Sequence, residues 1–176
     1  MQAFAALIDG LIYTRSRDHK VRLIADYLRD TPDPDRGWAL AALAGTLSIA
    51  TVKSAAIRTM AEERFDPMLF RMSRDYVGDT AETVALMWPD VSADVVAPTV
   101  SEVIDLLNNT SRARAPMVLA ELMDRLDANG RYALLKLATG GMRVGISARL
   151  AKTAFGQAFG VSVDDVEEVW HALRPP

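Results

Sequence analysis

The chain has 176 residues, 50% of them apolar and 24% charged, which fits one domain large enough for a real core. It contains no cysteine, which excludes disulfides and thiolate metal sites and points to a reducing compartment, and its two histidines, His19 and His171, lie far apart with no carboxylates at ligand spacing. A formal net charge of −3 excludes a uniformly basic nucleic-acid binder and leaves only one whose charge is sorted along the chain.

In chain order, nearly every segment predicts a helix. The opening run from Gln2 to Tyr13 is apolar, lacks the basic stretch of a signal peptide and is interrupted by Asp9. No later stretch is long enough to span a bilayer, so the expected location is cytoplasmic. Ser16 caps a helix to about Asp30, with Val21, Ile24, Ala25 and Leu28 on one stripe. After the turn Thr31-Pro-Asp-Pro-Asp comes Trp38-Ala-Leu-Ala-Ala-Leu-Ala, apolar all round and expected to be buried. Thr51 is the expected cap of a helix to about Glu63, Asp66-Pro67 starts one to about Tyr76, and Gly78-Asp-Thr one to about Trp88. Pro98 and Thr99 introduce a short helix to about Leu107. A polar, basic stretch, Asn108-Asn-Thr-Ser-Arg-Ala-Arg-Ala-Pro, precedes an amphipathic helix marked by Leu119, Leu122, Met123 and Leu126. Asn129 or Gly130 is the expected start of the next helix, and Ser162 with Asp165 reads as a capping box for the last. Strand alternation is absent, so the fold class is all-α, and the methionines and tryptophans at helical spacing read as core filling.

Charge is sorted by segment. Between Ala128 and Val163 there are five basic residues, Arg131, Lys136, Arg143, Arg149 and Lys152, and no acid. Two shorter windows, from Arg36 to Ala61 and from Leu106 to Ala120, are also acid-free. Between Asp75 and Asp105 the pattern inverts, with seven acids and no Lys or Arg. One face is therefore expected to be basic although the chain is acidic.

The longest window holds the most informative stretch. A helix ends near Thr139, a turn carries Gly140, Gly141, Arg143 and Gly145, and a new helix starts at Ser147. A helix start leaves N–H groups unpaired and partly positive, which suits a phosphate. Arg143, Arg149 and Lys152 add full charges around that point, and Gly145 would let backbone approach a sugar-phosphate strand closely. An ordinary helix-turn-helix corner, with glycine as C-cap and arginines in solvent, explains the same residues.

A repeat adds to this. Trp38-Ala-Leu-Ala-Ala-Leu-Ala-Gly aligns with Tyr132-Ala-Leu-Leu-Lys-Leu-Ala-Thr at four of eight positions. Thr51 and Ser147 become equivalent caps, with Lys53 and Arg149 each two residues later, and Asp66 and Ser162 each fifteen residues beyond. The expected architecture is thus a multi-helix domain with a pseudo-repeated helix-turn-helix unit, offering two helix starts to two phosphate strands of a duplex.

With these residues placed, the chain resembles the N-terminal helical DNA-binding domain of ATP-dependent DNA ligases, particularly bacterial multidomain ones. The resemblance covers nearly the whole chain and rests on Asp75-Tyr-Val-Gly-Asp-Thr-Ala-Glu-Thr-Val-Ala-Leu, on Thr110-Ser-Arg-Ala-Arg before a long helix, and on Met142-Arg-Val-Gly-Ile-Ser. It implies a single DNA-binding domain over residues 1–176 that grips nicked duplex DNA across the minor groove without reading sequence, in DNA replication, recombination or repair. It places Arg143, Gly145 and Ser147 in one reverse turn, with Arg149 and Lys152 following, and Ser48, Thr51 and Lys53 in a partner turn. Ser111, Arg112 and Arg114 become a third phosphate-binding element. In a bacterium the expected location is the nucleoid.

The adenylating lysine of a ligase stands in Lys-x-Asp-Gly, and none of Lys20, Lys53, Lys136 and Lys152 has that setting. No OB-fold strand pattern follows either. The chain is therefore expected to be a non-catalytic binding module without a cofactor, with ATP and Mg belonging to the catalytic domains of a parent protein, which would be its partners besides DNA. The competing expectation is a helical-repeat scaffold that binds another protein.

Overall fold

A computed structural model describes residues 1–49, 52–89, 95–142 and 144–170. Regular structure among the described residues is entirely α-helical: α1 (Gln2–Tyr13), α2 (Arg17–Asp30), α3 (Asp35–Leu43), α4 (Ser54–Arg64), α5 (Pro67–Val77), α6 (Thr80–Met87), α7 (Val100–Asn108), α8 (Ala115–Met123), α9 (Ala128–Thr139), α10 (Ala148–Phe159) and α11 (Val163–Trp170). The helices form two compact units: Met1–Ala5 with Ile49–Gly141, and Ala6–Ser48 with Met142–Pro176. No helix among the described residues is long and apolar enough to cross a membrane.

Most helix starts follow from a side-chain oxygen placed to accept a first-turn N–H. Ser16 accepts from His19 N–H, Asp66 from Met68 and Leu69, Asp79 from Glu82, Thr99 from Glu102 and Ser147 from Leu150. Ser162 accepts from Asp165 N–H, the first half of a capping box, while its hydroxyl donates to the Asp165 carboxylate in place of the backbone N–H that the full box uses. Two starts differ from expectation. α9 begins at Ala128, because Asp127 accepts from Gly130 N–H one turn ahead of the glycine. α4 begins at Ser54 with Lys53 in the cap position, where a lysine has no oxygen to offer and makes no cap bond; Thr51 lies outside the described residues. The fifteen-residue spacing of the proposed repeat is counted from Thr51, so that part of the repeat lies outside the described residues.

In the unit of Ala6–Ser48 and Met142–Pro176, α2 packs on α10, α3 touches both, and α11 lies on α10. The buried stripe of α2 is Val21, Ile24, Ala25 and Leu28; that of α10 is Leu150, Ala151, Ala154 and Gly156. From Ala39 to Leu43, α3 is buried at every position. α10 ends in a tight reversal: Gly160 is left-handed at φ 70°, and the N–H groups of Gly160 and Val161 both reach the Gly156 carbonyl. A Cβ on Gly156 would stand 2.6 Å from the Val161 carbonyl oxygen, which is backbone and cannot swing aside. Gly156→Ala is therefore expected to destabilise this unit by about 1–3 kcal/mol, read as a lower melting midpoint by circular dichroism. An unchanged midpoint would show that the reversal relaxes freely.

In the unit of Met1–Ala5 and Ile49–Gly141, α9 is central, packing on α6, α7 and α8. Its burial includes a charge. Arg131 is 2% exposed and donates to the carbonyls of Met123 at 3.1 Å and Trp88 at 3.0 Å, and to that of Pro89. Met123 is the last residue of α8, and Trp88 is the C-cap of α6, so one guanidinium meets the carbonyl ends of two helices. Two of these partners, Trp88 and Pro89, lie more than forty residues away in sequence. Lys136 on the same helix pairs with Asp79 at 2.6 Å. Burial works to raise the Asp79 carboxyl, but hydrogen bonds from Lys136 and the Glu82 N–H outweigh it and hold the group below the usual carboxylate range. Of the basic residues in the acid-free window from Ala128 to Val163, Arg131 and Lys136 are thus consumed inside this unit.

Candidate nucleic-acid interface

The turn between α9 and α10 is organised by glycine. Gly140, at φ 68°, ends α9 as a left-handed C-cap, and Gly145 takes φ 66° just before the next helix. Gly145 is exposed, Val144 before it is buried, and Ser147 caps α10 through Leu150 N–H at 3.2 Å. Ala148 and Arg149, the first two residues of α10, are exposed, and their N–H groups find no acceptor among the described residues. Arg149 therefore stands on an open helix start. Lys152, one turn on, is half-buried and holds its ammonium 5.0 Å from the Trp170 ring centre, tying α11 to α10. Arg143 lies outside the described residues.

The structure adds a residue to this turn that sequence reasoning missed. Lys20, near the start of α2, donates to the Val144 carbonyl at 2.9 Å and to the Gly145 carbonyl at 3.3 Å. A Cβ on Gly145 would stand 2.8 Å from that ammonium. Glycine is thus favoured here for its positive φ, and a side chain would also push the Lys20 ammonium off the two carbonyls. Lys20 sits between His19 and Val21 in an acid-containing segment, and nothing local ties it to a turn more than a hundred residues away.

The remaining residues divide between the two units. Ser48 is exposed in the same unit as Gly145. Lys53 is exposed at the start of α4, in the other unit. That unit also carries Ser111, Arg112 and Arg114, all exposed on the turn before α8. The Ser111 carbonyl accepts from the N–H groups of Arg114 and Ala115, each at 3.0 Å, which closes the turn and puts Arg114 at the helix start. Arg114 and Ser111, with Leu106, Val118 and Leu122, line a cavity of about 620 Å³ between α7 and α8.

No protein-family model and no curated protein matches this chain. The chemistry of the site rests on its own geometry. Each unit carries at least one exposed, basic turn at the start of a helix, which is suited to anionic oxygens. Among the described residues no group of three His, Asp or Glu side chains is placed to hold a metal ion.

Proposed function

We propose that this chain binds duplex DNA through its sugar-phosphate backbone, without reading base sequence, as the DNA-binding part of an ATP-dependent DNA ligase. The observation that carries the reading is the exposed segment from Gly145 to Arg149: a left-handed glycine, a serine-capped helix start, two N–H groups facing solvent and a guanidinium beside them. Backbone N–H groups and arginine at a helix start position a phosphate but carry no base information. The exposed turn of Ser111, Arg112 and Arg114 supports it, as does the resemblance of the Asp75, Thr110 and Met142 stretches to ligase domains. Adenylation and nick sealing would belong to other domains of such a ligase.

A scaffold that binds another protein is the second reading. α5 favours it, because Met68, Met72 and Tyr76 recur at helical spacing on that helix and are 70%, 62% and 93% exposed.

Substitution at the turn separates the two. Arg149→Ala should weaken duplex binding by about 1–2 kcal/mol, the scale of a lost charge-assisted hydrogen bond, with helix content unchanged. Arg29→Ala is the control: Arg29 is exposed near the end of α2, paired with Asp26 at 2.9 Å, and carries the same charge in the same unit. Equal losses for Arg149 and Arg29 would mean diffuse attraction with no special turn. No loss in either would leave the corner a structural turn and favour the scaffold.

A further inference from the structure

On the DNA-binding reading, we infer that Lys20 is a positioning residue: it holds the Gly145 turn in the form that meets phosphate, without itself touching the phosphate. The Lys20 ammonium binds the two successive carbonyls of Val144 and Gly145. In a planar trans peptide the N–H points opposite to the C=O. With both carbonyls drawn toward α2, the N–H groups of Gly145 and Ile146 are turned away from it, and neither finds an acceptor among the described residues. Successive carbonyls reach one cation only if the residue between them leaves the extended form, and Gly145 does so at φ 66°. Lys20 and Gly145 therefore act together: the glycine supplies the bend and the space, and the lysine holds it.

The charge also has a physical logic. Two carbonyl oxygens aimed outward would repel a phosphate; bound to an ammonium on the inner side, they are removed from the outer surface. Lys20 is only half-buried, so bringing its ammonium to the turn costs little desolvation. A lysine acting through the turn leaves a signature different from one that binds DNA. A direct phosphate contact contributes about one counterion to the salt dependence of binding, and a positioning residue contributes none.

The test compares wild type, Lys20→Met, Lys20→Arg and Arg149→Ala. Each is titrated with a fluorescent nicked duplex at several salt concentrations, and each free protein is examined by heteronuclear NOE at the Gly145 and Ile146 amides. Lys20→Met is expected to lose about tenfold in affinity with its salt slope unchanged, and to lose order at those two amides. Lys20→Arg, whose guanidinium also donates to two carbonyls, is expected to recover most of both and gives the same readout should the methionine variant fold poorly. Arg149→Ala is expected to lower the slope by about one. Three results would overturn the inference: wild-type affinity in Lys20→Met despite a disordered turn, a slope lowered by about one in Lys20→Met, or lost affinity with the turn amides as ordered as in wild type. Wild type that binds no duplex at all would end the DNA reading and the positioning role with it, whereas the free-protein NOE would still report whether Lys20 holds the turn.

Discussion

Arg131→Ala should destabilise the chain by about 3–5 kcal/mol, the largest single-residue stability effect expected here. Much of the cost comes from three backbone carbonyls that the guanidinium bonds, those of Met123, Trp88 and Pro89. Those oxygens lie at the ends of α8 and α6; the Met123 carbonyl also accepts from Leu126 N–H at 3.2 Å. Alanine would take this donor from the Trp88 and Pro89 carbonyls, at about 1–3 kcal/mol for each that water cannot reach, and would open a cavity beside α9. The expected readout is a melting midpoint lower by about 10 °C or more, with Arg29→Ala within a degree or two of wild type. A shift under about 3 °C would show that water or rearranged backbone satisfies the carbonyls, and the structural role assigned to Arg131 would be wrong.

Arg131 also shows what can and cannot be read from a sequence. Cap residues act over three positions, so Ser16, Asp66, Asp79, Thr99 and Ser147 mark their helices without reference to the rest of the chain. The start of α4 was not legible for the same reason: Lys53 makes no cap bond, and Thr51 offers a plausible oxygen two residues too early. Gly140 and Gly145 were readable as turn glycines, and both take positive φ. The purpose of Gly145 was only half readable, since space for the Lys20 ammonium depends on α2. Counting charge along the chain treated Arg131, Lys136 and Arg149 alike. Folding buries the first, pairs the second with Asp79 and leaves the third exposed. A linear charge pattern cannot distinguish these fates, because burial and pairing are decided by helices distant in sequence.

Binding to duplex DNA is expected to be steeply salt-dependent, and this is the second large effect. With roughly five to eight phosphate contacts, affinity should fall by about two to four orders of magnitude between 50 and 200 mM salt, since each neutralised phosphate releases condensed counterion. The net charge of −3 makes the prediction demanding, because long-range attraction by the whole chain cannot supply it; locally placed cations such as Arg149, Arg112 and Arg114 must. Backbone contacts carry no sequence information, so two unrelated duplex sequences should bind alike.

The most direct measurement is therefore one titration series by fluorescence anisotropy, using nicked duplex, intact duplex and single strand at graded salt. The account predicts micromolar or tighter binding to duplex at low salt, a linear fall of log affinity with log salt at a slope of about −4 to −7, and indifference to base sequence. A flat salt response, or a strong preference for one sequence, would contradict it.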